Sequence, residues 1–103
     1  MKAVLLVDDR VVVQDGKYVV WIKVYEVEKS KRYPEGIKAK FVLQDVEFGF
    51  ARLLVDNHEP FGFHMHTRLP HERDHREALN VSDYREALRL FEREVERIVE
   101  NET

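Results

Sequence analysis

From residue 2 to residue 69 apolar and polar side chains alternate in short runs. From residue 82 onward apolar side chains recur every three or four positions. The first rhythm is that of strands half covered by a core, and the second that of an amphipathic helix. Residues 2–7 read as a first strand. Residues 10–14 and 17–28 read as the arms of a hairpin around Asp15-Gly16, a pair that tolerates the positive φ of a two-residue turn. In the longer arm Tyr18, Val20, Ile22 and Val24 share one face. Val19, Trp21, Lys23 and Tyr25 share the other, so both faces are expected to be partly covered. Residues 29–36 (KSKRYPEG) read as a loop, broken by Pro34 and Gly36. Strands follow at 38–44, with Ala39, Phe41 and Leu43 on one side, at 48–55 after a turn at 45–47, and at 61–69.

The helix is predicted over 82–100. Ser82 suits the N-cap because its hydroxyl can accept a bond from a free amide of the first turn. Asp83 and Glu86 suit the positive end of the helix dipole, and Arg85 does not. Tyr84, Leu88, Phe91, Val95 and Ile98 make one apolar stripe. Leu90 lies off it, as a possible partner contact. The outward face mixes acids with Arg85, Arg89, Arg93 and Arg97 at helical spacings, which reads as a solvated, ion-paired surface. The expected architecture is α+β: an antiparallel sheet of five to six strands with the C-terminal helix on one face. A single domain is expected over 1–103, with strands over 2–69 and a connection at 70–81.

Composition narrows the chemistry. The 103 residues carry 36% charged side chains and a net charge of −3, an excess over the roughly 25% of ordinary proteins. No apolar run approaches the ~18 residues of a membrane span, and the first residues lack the pattern of a signal peptide. A cytoplasmic protein without a membrane partner is expected. There is no cysteine, which excludes disulfides, thiolate metal sites and a cysteine nucleophile. High charge with few Asn and Gln side chains matches the composition of thermophilic proteins. No Gly-rich phosphate loop, His-Glu-x-x-His helix or nucleophile elbow is present, and Ser30 and Ser82 both have structural explanations.

Three of the five histidines fall in the stretch 56–68, and His71 and His75 follow closely. On a strand, Phe61, Phe63 and Met65 would point to the core. Gly62, His64, His66 and Arg68 would point away, with alternate residues roughly 6.5–7 Å apart. Two imidazoles at that spacing can flank one phosphate, one as base on a ribose 2′-hydroxyl and one as acid on the leaving oxygen. Arg68 would hold the phosphate, and Asp56 or Asn57 would orient a histidine or a ribose hydroxyl. Such chemistry needs neither metal nor other cofactor. Polar residues on an exposed strand face also need no function at all. A metal reading stays open, with His64 and His66 joined by His71 and His75 and completed by His58 or Asp56.

Lys29, Lys31, Arg32, Tyr33, Lys38 and Lys40 form a basic cluster with one aromatic. It is a candidate RNA-binding surface, and equally a contact for an acidic protein or a solvated hairpin end. The negative net charge does not favour nucleic acid. A non-catalytic module that binds a protein through the sheet edge, or a homodimer formed there, is a second reading.

The chain resembles the small toxins of TumE-type toxin–antitoxin pairs of bacteria and archaea. The likeness is carried by the Met1-Lys2-Ala3 strand, the Asp15-Gly16 hairpin, the Val19-Val20-Trp21 strand, the Leu54-Val55-Asp56-Asn57 strand end, and His64-Met65-His66. The helix from Ser82, with Leu88 and Phe91, sits where the family ends in a helix. The resemblance implies a toxin with a helix-turn-helix antitoxin as partner, and Asp56, Asn57, His64 and His66 match the family's motif. Family members often carry small or basic residues between Asp-Asn and His-x-His, where this chain has Glu59, Phe61 and Phe63. Ribonuclease activity is inferred from the histidine spacing, not from the resemblance.

Overall fold

A computed structural model describes residues 3–101. Six strands form one antiparallel sheet in sequence order: β1 (Val4–Val13), β2 (Tyr18–Glu26), β3 (Ile37–Asp45), β4 (Ala51–His58), β5 (Gly62–His66) and β6 (Glu77–Ala78). One helix follows, α1 (Tyr84–Asn101), and packs on one face. The architecture is α+β, as the patterning predicts.

The hairpin between β1 and β2 closes as expected. Asp15 and Gly16 have φ of 53° and 90°, and the Lys17 amide donates to the Gln14 carbonyl at 3.0 Å. Positive φ at both central residues matches the twist of the flanking strands. The register then follows from the period of two. Ile22, Phe41, Val55 and Met65 are consecutive cross-strand partners, and all are buried. Tyr18, Val24, Ala39, Leu43 and Leu53 complete this face with no exposed surface. Phe91 of α1 lies over it, its ring 5.6 Å from that of Phe41, and Gln14 donates its side-chain amide to the Val99 carbonyl.

Several boundaries differ from the expectation, each for a local reason. Residues 2–7 and 10–14, expected as two strands, belong to one, β1, with an irregularity between Leu5 and Val7. Asp8 and Asp9 do not interrupt it, because an edge strand can keep charged side chains in water while its backbone pairs with β2. The expected start at residue 2 lies outside the described residues. β4 begins at Ala51, not at 48, because the Asp45 carboxylate takes the Phe48 amide at 2.9 Å and shapes a longer turn; Phe48 is left exposed. β5 ends at His66, not at 69, and β6 forms within the expected connection.

The N-cap of α1 is Asp83, not Ser82. Its carboxylate accepts the amides of Arg85 and Glu86 at 2.9 and 3.1 Å. Glu86 reaches back to the amide and hydroxyl of Ser82, so two donors before and inside the first turn are satisfied reciprocally. Ala87, Phe91 and Ile98 are buried, and Leu90, expected to stand apart, packs against the same core. No helix among the described residues is long and apolar enough to cross a membrane.

Candidate functional site

The face of the sheet opposite α1 carries a row of a different kind. Asp8, Lys23, Lys40, Asp56, His64 and Ala78 are consecutive cross-strand partners from β1 to β6. Lys38 pairs with Tyr25 on the same face. The row becomes a cluster at β4 and β5. The His64 ring stands edge-on to that of His58, at 5.0 Å between centroids, and to that of His66, at 5.1 Å.

Strand alternation therefore places His64 and His66 on one face as expected, and β4 adds His58. Sequence reasoning considers His58 only as a metal ligand. The signal for more is available there: His58 is two residues beyond Asp56, so it shares that residue's face.

Each of the three rings is held by a main-chain carbonyl. The Nδ1 of His64 lies 2.8 Å from the Gly62 carbonyl, that of His66 3.0 Å from the Arg73 carbonyl, and that of His58 3.3 Å from the Glu59 carbonyl. A carbonyl only accepts, so Nδ1 carries the hydrogen in each ring. In the neutral form of each ring Nε2 is then the nitrogen without a hydrogen.

His64 is 2% exposed, which a side chain on an open sheet face is not expected to be. Its cover comes from the β4–β5 turn. Phe61, expected to point into the core with Phe63 and Met65, lies in the turn instead, 42% exposed. Its ring is 5.6 Å from both His58 and His64. The Arg76 guanidinium lies 4.0 Å from the centre of the Phe61 ring, and its Nε is buried with no hydrogen-bond partner. Burial lowers the His64 pKa below its ordinary value and outweighs the Gly62 carbonyl, which raises it. The neighbouring His66 and His58 also lower it, and Asp56 raises it.

The other predicted residues divide. Asp56 sits opposite His64, and its carboxylate accepts the Asn57 amide at 2.8 Å. Asn57 does not orient a histidine: its side chain accepts from the Ala39 amide at 2.7 Å and donates to the Ile37 carbonyl at 2.9 Å. It continues the backbone ladder where β3 and β4 part. Arg68 lies beyond the end of β5 and pairs with Glu72 at 3.2 Å, both side chains exposed. Arg76, which sequence reasoning misses, is the cation over the Phe61 ring; nothing in the local sequence marks it, because the chain returns to β5 only through β6. His71 is exposed, and His75 turns to Glu77 at 3.7 Å. Among the described residues no three histidine or carboxylate side chains form a group that could hold a metal ion.

The basic cluster splits as well. Lys38 and Lys40 stand on the open face, and Lys29 and Lys31 lie exposed in the loop. The Glu59 amide donates to the Arg32 carbonyl at 3.0 Å, which ties that loop to the β4–β5 turn. Arg32 and Tyr33 thus line a cleft of about 230 Å³ together with Asn57, His58 and Phe61. Two candidate patches far apart in sequence meet at one cleft. Comparison with family models, curated proteins and solved structures finds no match to this chain.

Proposed function

We propose that this protein is the toxin member of a toxin–antitoxin pair and that it cleaves RNA without a metal. The toxin assignment draws on the resemblance in its strand ends, His-x-His pair and terminal helix, which also points to a helix-turn-helix antitoxin as partner. The chemistry rests on one observation. Three imidazoles, the central one edge-on to both others, share an open sheet face, each fixed through Nδ1 to a carbonyl, beside a cleft lined by Arg32 and Tyr33.

Burial reassigns the roles within this reading. His58 and His66 are partly exposed and can meet a substrate; His64, covered between them, is a positioning residue. One of the outer histidines takes the proton of a ribose 2′-hydroxyl on Nε2. The 2′ oxygen attacks the adjacent phosphorus, the bond from phosphorus to the 5′ oxygen breaks, and the other histidine, protonated, gives that oxygen its proton. The products are a 2′,3′-cyclic phosphate and a free 5′-hydroxyl. Arg76 supplies positive charge where the phosphorane gains negative charge, in the role expected of Arg68. Tyr33 and Phe61 offer rings for bases, and Lys38 and Lys40 lie along the same face for phosphates.

The test is cleavage of single-stranded RNA by the purified protein with and without EDTA, beside His58→Ala and His66→Ala. EDTA-resistant cleavage leaving cyclic phosphate ends, lost in either variant while circular dichroism stays unchanged, is expected. Activity abolished by EDTA overturns the metal-free reading. A second reading, a non-catalytic interaction module, is favoured by the exposed apolar side chains of β1. Absence of cleavage under all conditions selects it.

A further inference from the structure

The two edges of the sheet are unlike. β6 is two residues long and carries Glu77, a short charged edge of the kind that resists pairing. β1 is ten residues long, and no strand among the described residues pairs with its outer side. Val4, Leu5, Leu6, Val11 and Val12 are between 44% and 53% exposed. A long apolar edge of this kind recruits another strand.

We infer that the outer edge of β1 pairs antiparallel with β1 of a second copy, about a two-fold axis through Asp9. The register follows from the sequence of the strand, VLLVDDRVVV. A two-fold axis perpendicular to a sheet places one residue opposite itself, since directly opposed residues share a face. Three central residues can take that place. Asp8 on the axis sets Arg10 against Leu6, and Arg10 on the axis sets Asp8 against Val12. Asp9 on the axis sets Asp8 against Arg10 twice, Val7 against Val11 and Leu6 against Val12, up to the irregularity between Leu5 and Val7. Of the three, only that register sets the flanking charges Asp8 and Arg10 against each other and sets both Leu6 and Val7 against apolar residues.

The faces agree with this pairing. Asp8 and Arg10 lie opposite Lys23 and Trp21 on the open face, and Val7 and Val11 lie opposite Val24 and Val20 on the helix side. The product is one continuous sheet that joins the two six-stranded sheets, with both helices on the same side. The exposed wall of the groove formed by Val11, Val13, Phe91 and Val95 would be extended by Val7 of the second copy. The one mismatch is Asp9 facing Asp9, which weakens the pairing and leaves a signature. The inference is independent of the histidine chemistry.

The absence of cysteine makes the test clean. Asp9→Cys places two thiols opposite each other on the axis, within the ~4.5–5.5 Å between Cβ atoms of directly opposed residues. It should oxidise to a disulfide-linked dimer much faster than Glu47→Cys, an exposed control position far along the chain. Val7→Cys mixed with Val11→Cys should cross-link faster than either alone. In sedimentation equilibrium Asp9→Asn, which removes the like-charge pair, should tighten the dimer about two- to fivefold. A wild-type chain that stays monomeric at several hundred micromolar overturns the inference. So does an Asp9→Cys variant that cross-links no faster than the control, or Val7→Cys alone cross-linking as fast as the mixture.

Discussion

The two faces of the sheet reach burial by different routes. On the face under α1, cover comes from a whole helix, and the buried side chains of that face are apolar apart from Tyr18 and, at the end of β3, Asp45. On the other face no layer is present among the described residues, yet His64 is covered more completely than Met65, its neighbour on the helix side. The rings around it are His58, His66 and Phe61, and the Arg76 guanidinium lies over the Phe61 ring. A helix makes a wide, uniform environment in which any well-shaped apolar side chain serves. A cover built from a few side chains makes a narrow environment, in which the flanking histidines bear on the protonation of His64.

The contrast should be sharpest in stability. Phe41 is fully buried against Phe91, and Lys40 beside it is exposed on the other face. Phe41→Ala is expected to cost about 3–5 kcal/mol in urea unfolding through lost burial and the cavity left behind. Lys40→Ala should stay within about 0.5 kcal/mol of the parent. Equal losses in the two variants would show that the faces are not different in this way.

Asn57 joins β4 to β3 at the sheet's end. Asn57→Ala leaves the Ala39 amide and the Ile37 carbonyl without their present partners, with an expected loss of about 1–3 kcal/mol. Amide hydrogen exchange at Ala39 should speed up in this variant. An unchanged rate there would rule out the bridging role. Asp83→Ala removes the cap of α1 and should cost about 1 kcal/mol. Ser82→Ala, which loses only a bond to Glu86, should cost less; the reverse order in thermal melts would restore Ser82 as the cap.

The pH prediction concerns the open face alone. The folded-state pKa of His64 is lowered, so below the ordinary value near 6.5 the unfolded chain takes up a proton there more readily than the folded one. Stability therefore falls as pH drops from about 6.5 through the folded-state pKa, and levels off below it. His64→Gln should flatten that part of the profile, measured by unfolding at a series of pH values. The same slope in parent and variant would remove His64 as its cause. The smallest effect is expected from Arg76→Ala, which thins the cover over the Phe61 ring. The His64 pKa should rise toward its ordinary value, as read from the ring proton shifts by NMR, with little change in stability.

Strand alternation makes most of this legible in advance. The face of Tyr18, Val20, Ile22 and Val24, the face of Ala39, Phe41 and Leu43, and the turn at Asp15-Gly16 all follow from spacing and local backbone preference, because a period of two commits every second side chain to one side. The stripe of α1 follows from the period of 3.6 in the same way. Phe61 breaks the pattern because alternation holds only inside a strand, and β5 begins one residue later. Arg68 fails likewise at the other end of β5, where Glu72, four residues on, captures it.

The sequence by itself determined the α+β class, the paired placement of His64 and His66, and the absence of any thiol chemistry, since these depend on short-range periodicity and on composition. Only the tertiary structure decided that His64 is buried, that Arg76 rather than Arg68 stands over the Phe61 ring, that Asn57 serves β3, and that Arg32 and Tyr33 meet His58 across one cleft. Each of those depends on which distant segment returns to which strand, and side-chain spacing along a chain carries no record of that.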